Sequence, residues 1–265
     1  MTLHTYLKQG VSILHARMQS PMCPEPPGLH VAIQPFVTIS RETGAGATTL
    51  GRELMPLFAR ELGEDGAGWI FLDKDLLVQA LTHHQLPARL AEFLPEDRIS
   101  EVQAAIGELV GLHPPLWELE EKVSDAILHL ARMGRVIFAG RAAHLVTRAL
   151  PGGLHIRLVA SPDSRIRRMA TLLQCDPRAA AAYIEKNDHA RRRYLRTRFG
   201  RDIDDAHLYD LVLNTDHFAP GSAARIVLAA LRDRLEIQRA ALAVYRNLPR
   251  LTKEELTPIP TPDTL

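Results

Sequence analysis

The stretch from Phe36 to Thr49 most constrains how this chain can fold, because an apolar, β-rich run ends there in a glycine turn and passes directly into a helical pattern. Gly44 and Gly46 would let successive backbone N–H groups point at one anion, and the following helix N-terminus would add partial positive charge. The hydroxyl of Thr48 stands where it would meet a bound magnesium ion or the first helical turn. The stretch predicts a phosphate-binding loop, and a strand-to-helix turn that merely contains glycines is the alternative.

The match of this loop to the Walker A pattern is incomplete. That pattern needs a glycine, four residues, and then Gly-Lys-Ser/Thr. Aligned on Gly46, the first glycine position is Arg41 and the lysine position is Ala47, while the hydroxyl is kept at Thr48. The loop alone is therefore a weak indication of phosphate binding, and support has to come from the rest of the chain.

The composition favours a soluble protein of ordinary type. The chain has 265 residues, of which 46% are hydrophobic and 24% charged, and its net charge is +1. We therefore expect no general attraction to nucleic acid or to an anionic membrane. Its two cysteines, Cys23 and Cys175, argue against a disulfide framework and a cysteine-based zinc site. The start of the sequence lacks a signal-peptide pattern, so we expect a cytoplasmic location.

Strand-like runs that are apolar throughout alternate with helical patterns along the chain. We predict strands at about 36–40, 69–72, 135–139, 155–160 and 209–215. We predict helices at about 48–62, 116–133, 142–149 and 222–243, and a further helix that begins at about residue 164. This alternation indicates an α/β fold on a parallel sheet. Pro56 lies inside the first helix and should kink it or end its regular hydrogen bonding early.

Two terminal segments flank a predicted domain at 31–248. Residues 1–30 combine a short amphipathic pattern with several prolines, and we interpret them as an N-terminal helical appendage. It would dock on the domain or on a second subunit of a homodimer, and a flexible tail is the alternative. Residues 249–265 are a polar, proline-containing C-terminal tail.

Polar and charged residues recur at the predicted carboxyl ends of the strands, where ligands bind in such sheets. Asp73 and Lys74 could bind a nucleotide acceptor or hold the water shell of a metal, and a helix cap with a surface lysine is the alternative. Arg141 could hold an acceptor's phosphate, or it is an exposed charge beside a turn glycine. The recurrence at one edge supports the phosphate-binding interpretation of the glycine turn.

Residues 165–201 form a local positive lobe, opposed only by Asp176, Glu185 and Asp188. A mobile lid that closes over polyphosphate would use such guanidinium groups to stabilise the charge that moves during phosphoryl transfer. A solvated helix face and a nucleic-acid patch are the alternatives, and the neutral remainder of the chain argues against nucleic acid. The basic residues are Arg165, Arg167, Arg168, Arg178, Lys186, Arg191, Arg192, Arg193, Arg196, Arg198 and Arg201.

An acidic turn follows the lobe. Asp202 and Asp205 could position the lid arginines or read the acceptor's sugar or base, whereas we favour a solvated turn residue for Asp204. The chain contains no His-Glu-x-x-His or Cys-x-x-Cys pattern, which argues against a metallohydrolase.

Several motifs occur along the chain in a definite order. They are Val37-Thr-Ile-Ser-Arg-Glu-Thr-Gly44-Ala-Gly46, Phe71-Leu-Asp73-Lys74-Asp75-Leu-Leu, Val136-Ile-Phe-Ala-Gly140-Arg141-Ala, Arg193-x4-Arg198-Phe-Gly-Arg-Asp202-x2-Asp205 and Tyr209-Asp-Leu-Val-Leu-Asn214-Thr-Asp216. Over about residues 36–232 this set resembles the cytidylate kinase-like family, a branch of the P-loop nucleoside monophosphate kinases. The resemblance implies a P-loop NTPase-type three-layer α/β fold with a five-stranded parallel sheet, a helical acceptor-binding insertion at about 75–130 and an arginine-rich lid at about 176–205.

The resemblance also implies ATP-dependent phosphorylation of CMP or dCMP with Mg²⁺, with small-molecule nucleotides as the partners. The donor phosphates would lie against Gly44, Ala45, Gly46, Ala47, Thr48 and Thr49, with Thr48 also near the metal. The acceptor would be bound by Asp73, Lys74 and Arg141. The transferring group would be held by Arg193, Arg198 and Arg201, which Asp202 and Asp205 would orient.

The chain departs from the family pattern at Ala47, where the wider kinase group has a lysine that bridges donor phosphates, and at Ala142, where a glycine is usual. Either Arg41 or a lid arginine supplies the missing charge, or catalysis is lost, because one charged contact to the developing phosphate charge contributes roughly several kcal/mol. Two hypotheses follow. The protein is an active nucleoside monophosphate kinase, or it is a catalytically weak nucleotide-binding or regulatory protein that retains the kinase fold.

Overall fold

A five-stranded, all-parallel sheet organises the protein. The computed structural model describes residues 33–73 and 116–247. The strands are β1 (Phe36–Arg41), β2 (Ile70–Leu72), β3 (Val136–Ala139), β4 (Gly153–Val159) and β5 (Leu211–Asn214). Their order across the sheet is β2-β3-β1-β4-β5, so β1 lies at the centre and pairs in parallel with β3 and β4. The predicted α/β fold on a five-stranded parallel sheet is confirmed.

Helices connect the strands. They are α1 (Ala47–Glu61), α2 (Leu116–Met133), α3 (Ala143–Val146), α4 (Pro162–Leu173), α5 (Pro177–Phe199) and α6 (Pro220–Asn247). Short 3₁₀ turns lie at Gly63–Asp65 and Ala206–Leu208. The bounds predicted for α2 are confirmed, and its end is fixed by Gly134, whose N–H donates to the carbonyls of Leu130 and Ala131.

The sequence predicts that Pro56 kinks α1 or ends its regular hydrogen bonding early, and the helix continues five residues beyond Pro56 to Glu61. Pro56 is exposed, so the carbonyl that loses its intrahelical partner lies on the solvent side. The opposite side of the helix buries Leu54 and Phe58 in the core, each with 0% exposure. This burial outweighs the loss of one hydrogen bond.

The sheet is covered on both faces, which gives three layers. On one face, α1 and α6 pack against strand side chains such as Ile39 and Ile156, with Leu231 of α6 fully buried. On the other face, α2 packs Ile127 and Leu130 against further strand side chains. These two apolar clusters hold the carboxyl ends of all five strands at one edge of the sheet.

The expectation that the strands are apolar throughout is wrong for the face of the sheet that α2 covers. β4 places His155 and Arg157 there, both about 4% exposed. The hydroxyl of Thr38 pairs with Nδ1 of His155 at 2.8 Å, so polar groups on adjacent strands satisfy each other. A buried strand therefore tolerates polar residues where its neighbours supply the hydrogen bonds.

Several predicted segments lie outside the described residues. They are the N-terminal appendage at 1–30, the C-terminal tail at 249–265 and residues 75–115 of the predicted acceptor-binding insertion. Among the helices that the structure describes, none combines the length and apolar character needed to cross a bilayer.

Candidate phosphate-binding site

The glycine loop, which we define as residues 42–46, joins the end of β1 to the start of α1. Gly44 has φ +82° and Gly46 has φ +90°, a left-handed conformation that side-chain-bearing residues rarely adopt. A Cβ at Gly44 would also lie 2.9 Å from the carbonyl oxygen of Arg165, because α4 packs directly on the loop. Both glycines are thus needed for the bend that the sequence predicted.

The N-terminus of α1 opens from this loop without a cap. Gly46 is the N-cap residue, no side chain of the described residues caps it, and no acidic residue lies in the first turn. Ala47, Thr48 and Thr49 occupy the first three helical positions, where backbone N–H groups have no intrahelical acceptor. Both threonines are exposed. Three N–H groups, two hydroxyls and the helix dipole therefore form a surface suited to an anion.

The carbonyl groups of the loop are held on the side of α4 and β5. Arg168 donates to the carbonyl of Gly44 at 3.3 Å and to the carbonyl of Thr215 at 2.9 Å. The hydroxyl of Thr215 donates to the carbonyl of Ala45 at 3.1 Å. Because the trans peptide unit is planar, the N–H of Gly46 then points away from Thr215. The loop carbonyls are therefore held on the side of α4 and β5, and the N–H of Gly46 points to the opposite side of the loop.

The helix of the predicted lid, α5, which we call the lid helix, contacts the loop through Asp188. Its Oδ1 accepts from the N–H of Thr43 at 2.8 Å and from the Thr43 hydroxyl at 2.7 Å. Arg191 donates to the same hydroxyl oxygen at 2.6 Å and to Oδ1 of Asp188 at 2.9 Å. Arg165 of α4 donates to Oδ2 of Asp188 at 2.5 Å. Sequence reasoning counted Asp188 only among the acids of the lobe and did not place it at the loop.

Two arginines that the sequence named lie at the ends of neighbouring strands. The half-buried Arg41 directs its guanidinium across Gly140, since a Cβ on that glycine would collide with it. Arg141 follows with φ +57° and is also half-buried. Asp73 is half-buried directly after β2, while Lys74 lies outside the described residues. The predicted residues Arg41, Asp73 and Arg141 therefore stand at the edge where β1, β2 and β3 end.

The three predicted lid arginines are all exposed. Arg193 lines an open cavity of about 400 Å³ along α5, together with Lys186 and His189. Arg198 lies in the last turn of α5, and Arg201 follows the helix-ending Gly200. Arg191, two residues before Arg193, is an arginine of α5 that contacts the loop.

The acidic turn after α5 is more ordered than its sequence suggested. The expectation that Asp204 is merely a solvated turn residue is wrong, because it accepts from the buried Arg157 of β4 at 2.5 Å and from Arg192 of α5 at 3.1 Å. Arg157 also donates to the Ser40 hydroxyl at 3.3 Å and lies over the ring of Tyr209. Asp204 thus connects the sheet to the lid helix.

The two predicted acidic residues make local contacts. Asp202 accepts from Arg196 at 2.8 Å, and this hydrogen bond lowers the pKa of its carboxyl. Asp202 therefore pairs with Arg196, which is not one of the three lid arginines that the sequence predicts to hold the transferring group. Asp205 accepts from the N–H of His207 at 3.0 Å and begins the 3₁₀ turn.

The described residues contain no group of three or more His, Cys, Asp or Glu side chains that could hold a metal ion by themselves. A magnesium ion commonly keeps several waters and takes its other ligands from a hydroxyl, a carboxylate and substrate phosphates. The exposed Thr48 hydroxyl at the start of α1 fits that ligand type. The site therefore fits a metal that arrives with a phosphate ligand.

A parallel sheet of order 2-3-1-4-5 with a glycine loop after its central strand defines a P-loop NTPase-type α/β protein. The profile of the cytidylate kinase-like family matches residues 36–217, and the chain belongs to this family. This confirms the resemblance found in the sequence motifs.

Two cytidylate kinases are similar to this chain in sequence, and one solved structure is similar to it in fold. The cytidylate kinase of Pyrobaculum aerophilum is 29% identical over 197 residues, which cover 72% of this chain and 90% of that protein. The cytidylate kinase of Thermococcus kodakarensis is 29% identical over 198 residues, which cover 74% and 86%. A solved structure of an uncharacterized protein from Eubacterium ventriosum aligns with 75% of this chain and 99% of its own, with a TM-score of 0.55 and 15% identity. That last likeness concerns the fold alone.

Proposed function

We propose that this protein is a nucleoside monophosphate kinase, which transfers the γ-phosphoryl group of ATP to a nucleoside monophosphate and releases ADP and a nucleoside diphosphate. CMP and dCMP are the acceptors we expect, in line with the relatives' names. The observation that carries the proposal is the uncapped N-terminus of α1 behind the left-handed Gly46, at the carboxyl end of the central strand. A cytoplasmic location and a homodimer stay predictions.

The donor phosphates would bind the N–H groups of the loop and of the first turn of α1. Residues 44–49 supply them, and the hydroxyls of Thr48 and Thr49 are exposed beside them. Magnesium would be held by Thr48, water and the phosphates themselves. When bound, the ion would neutralise phosphate charge. The chain's own contribution is to fix the phosphates in place, and the bonds from Arg168 and Thr215 to the loop carbonyls support that role.

The acceptor would lie on the side of β2 and β3. These strands occupy one half of the sheet, next to β1, and they end in Asp73 and Arg141. Arg141 would hold the acceptor's phosphate, and Asp73 with Lys74 would bind elsewhere on the acceptor. Arg41 reaches from the end of β1 to the turn after β3, so its cation would stand between the donor and acceptor phosphates. This placement suits an in-line transfer, in which positioning and charge supply most of the catalysis.

Two arginines are our candidates to supply the charge that a lysine would provide at Ala47. One is Arg41, and the other is Arg191, whose guanidinium contacts Thr43 of the loop. Arg193, Arg198 and Arg201 remain the lid residues predicted to hold the transferring group. Guanidinium groups suit this task because they stay charged and bind phosphate oxygens in pairs.

A second candidate function is nucleotide binding with little or no catalysis. The observation that favours it is Ala47 itself, whose side chain carries no charge and is 8% exposed. An Ala47→Lys variant separates the two functions. A weak binder should gain turnover when the lysine is restored, whereas an enzyme that already uses arginines should gain none.

The direct test is a panel of nucleoside monophosphates offered with ATP and Mg²⁺, with both products quantified. We expect ADP and a nucleoside diphosphate in equal amounts, formed fastest with CMP or dCMP. Measurable ATP binding without turnover on any acceptor would favour the second candidate.

A further inference from the structure

We propose that Asp188 is a positioning residue that fixes the glycine loop to the lid helix and holds Arg191 and Arg165 against the donor phosphates. This inference rests on the proposed function and deepens it, because it names the residue that brings a cation to a loop without a lysine. Asp188 itself would touch neither ATP nor the acceptor.

The contacts between Asp188 and the loop are specific in geometry. One carboxylate oxygen, Oδ1, accepts from both the N–H and the hydroxyl of Thr43. Thr43 is 6% exposed and Asp188 is 8% exposed, so this contact is shielded from water. Asp188 and Thr43 are 145 positions apart in the chain. The contact therefore couples the lid helix to the conformation of the loop.

The same carboxylate organises two guanidinium groups from two different helices. Arg165 of α4 donates to Oδ2 and to the carbonyl of Thr43, and Glu42 lies 3.6 Å from its Nε. Arg191 of α5 donates to Oδ1 and to the Thr43 hydroxyl. The side chains of Arg165 and Arg191 are 12% and 13% exposed. Both cations are held at the loop in a site with little water, where charge acts strongly on a bound phosphate.

A purely structural role explains this arrangement poorly. Removing a carboxylate and two guanidinium groups from water carries a large desolvation cost, and packed apolar side chains often stabilise such a junction equally well. What apolar side chains cannot do is orient guanidinium N–H groups beside a phosphate-binding loop. The position of the cluster at the loop is thus better explained by charge placement than by stability.

The Asp188→Asn variant tests the charge while it keeps the shape. Its amide oxygen can still accept from Thr43, but the carboxylate that orients Arg165 and Arg191 is gone. We expect kcat to fall by roughly 30- to 300-fold and the KM for ATP to rise several-fold, because a misplaced phosphate cation costs about that much. The KM for the acceptor should stay within about twofold, since Asp188 contacts Thr43 of the donor loop and the two arginines beside it.

Asp176→Asn is the matched control. It makes the same change of charge in the same helix, and its side chain caps α5 by accepting from the N–H groups of Arg178 and Ala179. Asparagine caps equally well, so kcat should stay near the wild-type value.

Thr43 offers a second pair of variants that keeps all the charged side chains of the cluster in the chain. Thr43→Ser keeps both bonds to Asp188, whereas Thr43→Val keeps the N–H and the volume but loses the hydroxyl that bonds Asp188 and Arg191. We expect serine to retain more of the wild-type kcat than valine, for which the loss in kcat should be roughly 5- to 30-fold. This pair keeps the proposal testable if Asp188→Asn does not fold.

The experiment combines steady-state kinetics with calorimetric titration of Mg²⁺-ATP into the full chain. Wild-type protein that binds no ATP contradicts the proposed function. Positioning by Asp188 is then tested by hydrogen exchange at the Thr43 amide, which should speed at least tenfold in Asp188→Ala. An Asp188→Asn protein with wild-type kcat and ATP affinity overturns the inference. An equal rise in the KM values for donor and acceptor in Asp188→Asn also overturns it. If Asp188→Asn does not fold, a Thr43→Val protein with wild-type kcat overturns the inference instead.

Discussion

Arg157 in β4 and Asp204 in the turn after the lid helix form an ion pair of 2.5 Å between a buried and a half-exposed side chain. The same carboxylate accepts from Arg192 of α5 at 3.1 Å. The lid helix is therefore anchored twice, at the glycine loop through Asp188 and at the sheet through Asp204.

Asp204→Asn should lower the free energy of unfolding by about 1–3 kcal/mol, because the buried guanidinium of Arg157 loses its charged partner. Asp202→Asn is the control, since its pair with Arg196 is exposed on both sides and should contribute little to stability. Urea denaturation of both variants measures the difference. Equal effects at the two positions would show that Arg157 does not depend on Asp204.

Gly44→Ala and Gly46→Ala should differ in their effect on stability. Both positions are left-handed, which costs alanine about 1–2 kcal/mol. At Gly44 the new Cβ would also lie 2.9 Å from the carbonyl of Arg165, whereas no described atom lies within 4 Å of a Cβ at Gly46. We therefore expect the larger loss in denaturant unfolding for Gly44→Ala. A larger loss for Gly46→Ala would contradict the close packing of α4 on the loop.

The buried histidines predict that acid lowers stability. Burial lowers the pKa of His144 to about 3 and that of His155 to about 4. The unfolded chain binds these protons near the ordinary pKa of about 6.5, so the free energy of unfolding should fall as the pH drops from about 6.5 to about 4. Each histidine would contribute a slope of up to about 1.4 kcal/mol per pH unit.

Denaturant unfolding at several pH values between 5 and 7.5 measures that slope. His144→Phe, which keeps a ring against Tyr209, should flatten it, and His207→Gln at an exposed position should leave it unchanged. An unaltered slope in His144→Phe would show that His144 does not stay neutral in the folded protein.

Arg41→Gln should lower kcat by roughly 10- to 1,000-fold, because it removes a cation that spans the ends of β1 and β3. Arg52→Gln, at an exposed position of α1, is the matched control. Steady-state assays with ATP and CMP compare the two. Wild-type kcat in Arg41→Gln would leave the lid as the source of the missing charge.

The fold could be predicted because its determinants are local in sequence. Apolar runs and helical periodicity located all five strands, and the glycine after α2 marked the end of that helix correctly. The loop was found because Gly44 and Gly46 interrupt such a pattern at a strand end. The spacing of residues in the sequence suffices to predict a structural element when the residues that determine it lie within a few positions of one another.

The pairing of charges could not be predicted, because it joins residues distant in the chain. Asp188 meets Thr43 across 145 positions, and Asp204 meets Arg157 across 47. Spacing alone presents Asp188 as one of the few acids of the basic lobe and Asp204 as a solvated residue of the turn after it. Spacing also indicated Arg193 as a phosphate-binding residue, whereas Arg191 of the triplet 191–193 contacts the loop. The orientation of α5 decides which arginine of that triplet faces the loop, and spacing does not reveal this orientation.

The most direct test of the account is a reaction of the full chain with ATP, Mg²⁺ and CMP in which ADP and CDP are both quantified. We predict that the two products appear in equal amounts and that their formation requires both the acceptor and the metal. ATP hydrolysis without CDP, or no turnover with any nucleoside monophosphate, would contradict the assignment as a nucleoside monophosphate kinase.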